Sequence, residues 1–295
     1  MKEKIKRYKE KLIAILKKPE MAILPSNIAF HLILALIPLL TIVVLVASSF
    51  DISIVKVSDL VKNIMPSQVS GIIIDVISGK GFDTSVGFFN IVALFIASNG
   101  MYALINTSDA LYKIVERNEI KKRISSIIIL FIVIILFVFL LIIPIFGENI
   151  LSLMQKAKIF GKYSNAVISV FNILKWPITL IIIYFNIKLI YTVAPSKNIK
   201  SKETTLGALF TTIMWAILTI VFRIYLTYFG KYDILYGNLS SIIILMVWVY
   251  FLSYIFTFGM AINVSVREQE EKLEETRRIE LEKIKKASKK KKKEL

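Results

Sequence analysis

The sequence contains no cysteine, one histidine, and only 21 acidic side chains against 38 Lys and Arg in 295 residues. The absence of cysteine excludes a disulfide framework, a zinc site with Cys ligands and a thiol nucleophile, although it does not fix the compartment. A catalytic metal site would need clustered His, Cys, Asp or Glu, and the apolar segments supply His31 and, at a margin, Asp109. Neither a Ser-His-Asp constellation nor a Gly-rich phosphate loop is present. We therefore expect no enzyme, no catalytic residue, no metal and no other cofactor.

Apolar residues, in contrast, make up 56% of the chain, and its mean hydropathy is +0.69. A soluble domain has roughly 45–50% apolar residues, so this composition places the chain in a membrane. A spanning helix needs about 20 predominantly apolar residues, and six stretches satisfy this length. They run from Asn27 to Phe50, Val86 to Thr107, Ile124 to Phe146, Trp176 to Ala194, Thr204 to Phe229 and Leu239 to Val264. The sequence predicts an all-α polytopic membrane protein with a bundle of six transmembrane helices.

The orientation of these spans follows from where the basic residues fall in the connections. Lys and Arg are concentrated in the N-terminal arm, in residues 113–123 and in residues 197–202, whereas the alternate connections are poorer in them or offset them with Asp. Basic connections remain on the cytoplasmic side. Both termini are therefore predicted to be cytoplasmic, and the regions around Lys62, Lys158 and Lys231 are predicted to lie outside.

Three parts are predicted along the chain: a basic arm over residues 1–24, a transmembrane domain over residues 25–264, and a charged, partly disordered tail over residues 265–295. Between the first two spans, two amphipathic pieces split by Pro66 predict short outer helices. The tail ends in a run of lysines, which could bind anionic lipid headgroups at about 1 kcal/mol per basic side chain or could simply be solvated. The expected partner is the lipid bilayer, a homo-oligomer is left open, and no nucleic acid is expected, because no basic face with a stacking platform accompanies the lysines.

The connection between spans five and six is LTYFGKYDILYGNLSS. It is predicted to be a short outer hairpin in which Gly230 and Gly237 permit the backbone to reverse. Tyr232 and Tyr236 are predicted to anchor the outer ends of the two spans at the headgroup level. Trp215 and Trp248 are expected to fill the bundle between or around these spans.

Residues Gly207 to Asn263 resemble the YihY/BrkB family of bacterial inner-membrane proteins. The matching positions are Gly207, Ala208, Trp215, Phe222, Tyr225, Tyr236, Gly237, Leu239, Trp248 and Tyr250. Residues 26–40 resemble the family's first span, with Ala29, Phe30 and Pro38 in place, and residues 97–123 resemble its second. The resemblance covers residues 25–264 and implies a protein of the bacterial cytoplasmic membrane with a role at the cell envelope.

Two departures from the family pattern and one family label bear on function. His31 stands where the family usually has Tyr or Phe, and Ala261 stands where it commonly carries Glu. The missing carboxylate weakens any scheme in which that Glu carries protons. Family members have carried a ribonuclease label, but this sequence supplies neither a metal site nor a general acid–base pair for it.

Polar side chains within the spans are the candidates for function, since polar groups in hydrocarbon are costly unless they are paired or face water. In the second span Asn99, Tyr102, Asn106 and Asp109 follow the spacing i, i+3, i+7 and i+10, so they form one stripe on the cytoplasmic half of a helix. Such a stripe can line a cavity, or its amides can bond neighbouring helices while Asp109 lies in the interface. Both interpretations are open.

Four further polar residues add to this picture. Asn27 and His31 share a face of the first span; the histidine pKa suits proton transfer, but a satisfied interhelical donor is the commoner role. Lys188 in the fourth span can either snorkel to the cytoplasm or pair with Asp109. Arg223 can snorkel outward or bind an anionic group of a substrate on the outer side.

Two hypotheses of different class follow. In the first, the chain is a transporter or exporter of a polar or amphipathic envelope-related solute, with a cytoplasm-facing vestibule. The residues of that vestibule are Asn27, His31, Asn99, Tyr102, Asn106, Asp109 and Lys188. In the second, the chain is a non-transporting envelope scaffold or biogenesis factor whose polar residues fasten helices together. Water access to the stripe distinguishes the two, and neither hypothesis identifies the substrate.

Overall fold

The structure, a computed structural model, describes residues 19–49, 87–115, 118–135, 164–229 and 237–291, together with residues 10 and 13–17 and scattered positions between 55 and 74. Regular structure in this part of the chain is helical, and it contains no strand. The helices are α1 (Glu20–Ser49), α2 (Gly87–Leu111), α3 (residues 119–135), α4 (Ser164–Val193), α5 (Thr205–Phe229) and α6 (Ser240–Lys291). The all-α prediction is therefore confirmed, and each helix overlaps one of the stretches predicted to span.

Three helices of the described part are long and apolar enough to cross a membrane, by length and composition. They are Ile173–Val193, Thr205–Tyr228 and Ser240–Glu282. The rest of the protein buries only 6% of the apolar window in the first of these and 28% in the second. Helices that expose so much apolar surface need a nonpolar surrounding. Six transmembrane helices remain a prediction.

Helix α6 lies at the centre of the fold and packs against α1, α2 and α5, while α1 also packs on α2 and α4 on α5. It contains 52 residues without interruption, so it is about 78 Å long at 1.5 Å per residue. Residues 265–291 of the predicted tail (265–295) continue this helix beyond its apolar part. The tail and the apolar bundle are therefore joined by one continuous element.

Helices α5 and α6 approach each other closely at Gly207 and Gly259. A Cβ atom at Gly259 would lie 2.6 Å from Tyr191 Oη and 2.9 Å from Gly207 O, so neither helix has room for a side chain at this contact. Asn263 in α6 accepts a hydrogen bond from the Gly207 amide at 2.7 Å. This side chain satisfies one of the free amides at the N-terminus of α5.

Polar side chains also join the helices deeper in the bundle. Tyr191 Oη in α4 donates to the Phe256 carbonyl at 2.6 Å and lies 2.7 Å from Thr211 Oγ1. Trp215 Nε1 in α5 donates to the Leu252 carbonyl at 2.9 Å. Trp215 therefore lies between α5 and α6, as the sequence predicted, and Trp248 of α6 is buried. Such hydrogen bonds hold helices that have little hydrophobic drive to associate inside a bilayer.

Several sequence predictions concern residues that the structure describes only in part. Gly230, Tyr232 and Tyr236 lie outside the described residues, as do Pro66 and most of the predicted outer helices. Gly237 has φ +52°, a backbone conformation that glycine adopts without strain, and it begins a short 3₁₀ turn before α6. Gly237 thus has a backbone geometry that favours glycine, whereas the chain reversal itself involves residues outside the described part and stays a prediction.

Candidate functional site

The polar stripe of α2 lies against the first turns of α3. The two helices are joined by residues 112–118, and polar groups on one meet polar groups on the other. We call this contact the polar seam; its residues are Asn99, Tyr102, Asn106 and Asp109 on α2 and Glu119, Lys122 and Arg123 on α3. The four α2 residues are those that the helical spacing selected.

A buried ion pair forms the end of the seam nearest the α2–α3 connection. Lys122 Nζ lies 2.9 Å from Asp109 Oδ2, with 5% of each side chain exposed. Asp109 also accepts hydrogen bonds from the Ser196 amide at 2.8 Å and the Ser196 hydroxyl at 2.7 Å. Three donors therefore satisfy the carboxylate, which compensates for the loss of its hydration.

Of the two roles left open for Lys188, pairing with Asp109 is not the one that the structure shows. The carboxylate pairs with Lys122, not with Lys188, whose Nζ instead lies 5.9 Å from the ring centroid of Tyr184 one turn earlier on α4. Lys122 lies on the helix that follows directly after α2, so the short connection brings the two charges together.

The remaining stripe residues have partners on α3 as well. Lys122 Nζ donates to Asn106 Oδ1 at 3.2 Å, and Arg123 donates to Asn99 Oδ1 at 2.7 Å. The Arg123 guanidinium also lies 3.8 Å from the centroid of the Phe95 ring on α2. The Tyr102 hydroxyl donates to Glu119. The stripe is thus a helix contact along most of its length. Its amides bond a neighbouring helix, as one of the two interpretations predicted, but Asp109 is buried in an ion pair rather than exposed in the membrane interface.

The other predicted vestibule residues lie apart from the seam. Asn27 and His31 are partly exposed on α1, and the His31 ring packs edge-on against Phe30 at 5.4 Å between centroids. Within the described part of the chain, no hydrogen bond or ion pair joins Asn27, His31 or Lys188 to the seam. Arg223 is exposed near the end of α5 that the sequence places outside. A vestibule containing all seven residues remains a prediction.

A cavity of about 590 Å³ opens beside the ion pair, between the α2–α3 connection and the end of α4. Four lysines line it, and no carboxylate is among the described residues of its wall. We call it the lysine cavity; the residues with polar side chains in its wall are Tyr112, Lys113, Asn118, Lys121, Lys122, Ser125, Ser196 and Lys197. All of these positions are in or next to connections that the sequence places in the cytoplasm.

The local backbone explains how Lys113 comes to the cavity. Helix α2 ends in a turn in which the Ile114 amide bonds the Asp109 carbonyl at 2.9 Å and the Lys113 amide bonds the Ala110 carbonyl at 3.2 Å. This pattern is a Schellman motif, and it puts Lys113 in the left-handed conformation, with φ 54°. Glycine is the usual residue there, because a side chain in that conformation costs about 1–2 kcal/mol.

The first turns of the tail contact the same region through Arg267. Its guanidinium lies 3.8 Å from a carboxylate oxygen of Glu203, 2.9 Å from Glu271 and 6.0 Å from the centroid of the Tyr112 ring. Burial raises the pKa of Tyr112 to about 12; Arg267 opposes the shift and Glu203 adds to it. Since Tyr112 also lines the lysine cavity, the cavity wall and the start of the tail are in direct contact.

Sequence reasoning missed several residues of this site. Lys122 and Arg123 entered it only as charges in a basic connection, and Glu119 did not enter it. The spacing of Glu119, Lys122 and Arg123 is i, i+3 and i+4, which puts them on one face of α3. That spacing, next to a matching polar stripe, was the available signal. Ser196 and Asn263 had no such signal, because each acts through a helix distant in sequence.

Apolar helices with outward-facing side chains, joined at one end by a polar seam and a basic cavity, define a helical membrane protein. A family model described as "Virulence factor BrkB" matches residues 16–282. The chain therefore belongs to this family, and the resemblance found in its motifs is confirmed.

The relatives are similar over most of the chain. A protein of Bacillus subtilis (strain 168) with the name "Putative ribonuclease-like protein YfkH" is 25% identical over 83% of this chain and 89% of its own length. A "UPF0761 membrane protein" of Vibrio atlanticus is 25% identical over 83% and 77%, and one of Vibrio vulnificus is 24% identical over 88% and 82%. No solved structure matches the chain in the comparison.

Proposed function

We propose that the protein exports a polar or amphipathic, envelope-related solute across the bacterial cytoplasmic membrane and receives it in the lysine cavity. The observation that supports this proposal is the cavity itself. Its volume of about 590 Å³ lies within the range of roughly 300–1,000 Å³ that is typical of sites for small ligands. Its wall combines several charged groups with apolar surface from the ends of α2 and α4, which suits a solute with both characters.

In this proposal, the cavity faces the cytoplasm, where a solute would enter. Its lysines come from the two connections whose basic residues predict a cytoplasmic position. Clustered charges of one sign raise the local concentration of oppositely charged solutes and speed their association. The ion pair of Asp109 and Lys122 then fixes the inner wall, since it holds α2, α3 and the residue Ser196 together.

A scaffold remains the second candidate, and the polar seam is the observation that favours it. Asn99, Tyr102, Asn106 and Asp109 all have partners on α3, as residues that only fasten helices would. A nuclease is not part of the proposal for this chain, because its apolar segments supply neither clustered metal ligands nor an acid–base pair.

The experiment compares solute pools in a strain that lacks the protein. The strain is complemented with the parent, with a Lys121→Gln/Lys197→Gln variant, or with Lys202→Gln as a matched control. Lys202 is an exposed lysine of the same α4–α5 connection but does not line the cavity. In cells with the double variant, we expect the same solute to accumulate as in cells that lack the protein. The amount of folded double variant should equal that of the parent. Restoration of the parental pools by the double variant would contradict the proposal and favour the scaffold.

The proposed orientation has its own test, since the parent has no cysteine. Single cysteines at Lys62 and Lys290 are exposed to a membrane-impermeant thiol reagent in intact cells. We expect the cysteine at position 62 to react and the one at position 290 to be protected. Reaction at 290 but not at 62 would reverse the orientation and with it the cytoplasmic position of the cavity.

A further inference from the structure

We propose that the lysine cavity is a binding site for a phosphate-type dianion, either the phosphate group of a soluble phosphorylated solute or the phosphate headgroup of a lipid. This inference rests on the proposed function for its physiological meaning, but the binding site can be tested without any transport.

The charges of the cavity wall favour binding of an anion. Lys122 is neutralised by Asp109, with Nζ and Oδ2 2.9 Å apart. Lys113, Lys121 and Lys197 are exposed, and none of them forms an ion pair with another described residue. Lysines that share one cavity repel each other, and a multiply charged anion removes that repulsion. Lys binds phosphate as a point charge and needs no planar geometry, so a cluster of lysines fits phosphate better than a single carboxylate.

The backbone at Lys113 supplies a second, independent observation. The residue is in the left-handed conformation, with φ 54°, at a helix end where glycine would be free of strain. A strained residue that persists at a cavity points to a use for its side chain. The Lys113 ammonium is therefore assigned to the ligand, and the Lys113→Gly substitution separates binding from folding.

The walls of the cavity are held in place before any ligand arrives. Asp109 of α2 bonds Lys122 of α3 and both the amide and the hydroxyl of Ser196 beyond α4. These contacts join the three segments that carry the lysines. A site with fixed walls loses little conformational freedom on binding, which favours affinity.

The test measures binding of inorganic pyrophosphate to the purified full-length protein by isothermal titration calorimetry at low ionic strength. We expect saturable binding to the parent that weakens as salt is raised. Lys121→Gln and Lys197→Gln should each weaken it about three- to tenfold, and the control Lys202→Gln should leave it unchanged. Lys113→Gly should weaken binding to a similar degree while its thermal stability equals or exceeds that of the parent.

Three results would overturn the site. They are an absence of pyrophosphate binding to the parent, an equal loss of affinity in Lys202→Gln and Lys121→Gln, and parental affinity in Lys113→Gly. Binding of pyrophosphate to the lysines of the tail would be unchanged in the cavity variants. Binding that the cavity substitutions do not weaken would therefore contradict the site.

The two sources of the phosphate are distinguished by lipid composition. The titration is repeated in nanodiscs of phosphatidylcholine alone and in nanodiscs that also contain phosphatidic acid. If phosphatidic acid blocks pyrophosphate binding to the parent, the ligand is a lipid headgroup; if it does not, the ligand is a soluble phosphate. If the parent binds pyrophosphate but changes no solute pool, the export function is wrong and the binding site stands. If variants that do not bind pyrophosphate still export the solute normally, the binding site has no role in export, and the export function stands.

Discussion

Lys122 Nζ lies 2.9 Å from Asp109 Oδ2, and both side chains are almost completely buried. The pair joins α2 to α3 at their connected ends, and the two hydrogen bonds from Ser196 to the same carboxylate add the segment after α4. One carboxylate therefore organises three parts of the chain around the lysine cavity.

Breaking this pair from one side should destabilise the protein strongly. Asp109→Asn leaves a buried ammonium without its counter-charge, and Lys122→Gln leaves a buried carboxylate with only Ser196 as a donor. Each substitution should lower the free energy of unfolding by about 3–5 kcal/mol, because an unpaired buried charge is the main cost. Denaturant unfolding of the purified protein in detergent measures this loss.

The double variant and a control complete the cycle. Asp109→Asn combined with Lys122→Gln should lose less than the sum of the single losses, since no charge is left unpaired. Lys188→Gln should change the free energy of unfolding by no more than about 0.5 kcal/mol, because Lys188 does not pair with Asp109. Additive losses in the double variant, or a large loss in Lys188→Gln, would contradict the assignment of the pair.

The contact between α5 and α6 predicts a sharp difference between two glycines. Gly259→Ala would place a methyl group 2.6 Å from Tyr191 Oη and 2.9 Å from the Gly207 carbonyl, so we expect a loss of about 1–3 kcal/mol. At Gly100→Ala the one tight contact is with the end of the Leu32 side chain at 3.2 Å, which can move, while Ala35 Cβ at 3.4 Å and the His31 carbonyl oxygen at 3.7 Å are at ordinary contact distances, so the change should be neutral within about 1 kcal/mol. Thermal melting of both variants tests this. Equal melting temperatures would show that the close approach at Gly259 is not required.

Tyr112 predicts how stability responds to alkaline pH. Burial raises its pKa to about 12 in the folded protein, from the ordinary value of about 10 for a tyrosine. The fold thus favours the neutral phenol. The contribution of Tyr112 to the free energy of unfolding is therefore complete below about pH 10 and is lost as the pH rises to about 12. The parent should lose roughly 2–3 kcal/mol more than Tyr112→Phe between these values. Denaturant midpoints of the two proteins at pH 9 and pH 11.5 provide the comparison, and parallel losses would show that Tyr112 is not held in its neutral form.

The sequence predicted the helices well because each helix contains a continuous run of apolar residues. Length and hydropathy located α1 to α6, and the spacing of Asn99, Tyr102, Asn106 and Asp109 correctly placed them on one face. These are local properties of a helix, with a period of 3.6 residues, and they need no knowledge of its neighbours.

The residues that contact this polar face of α2 could not be predicted from the sequence in the same way. Lys122 and Lys188 were both basic residues available to Asp109, and only the packing of α2 against α3 decides between them. A membrane helix bundle gives little sequence signal for which helices are adjacent, since every helix is apolar on most of its surface. The short connection of residues 112–118 was the one feature that favoured Lys122, because consecutive elements are usually neighbours.

The measurement that tests the central claim most directly is the reaction of a single cysteine at Ser125 with a membrane-impermeant thiol reagent. Ser125 lines the lysine cavity, whereas the next residue, Ser126, is fully buried and supplies a matched control. Ser125→Cys should react in inside-out membrane vesicles but not in intact cells, and pyrophosphate should slow the reaction, while Ser126→Cys should remain unmodified in both. Protection of Ser125→Cys in inside-out vesicles, or its reaction in intact cells, would contradict a water-filled cavity that opens to the cytoplasm.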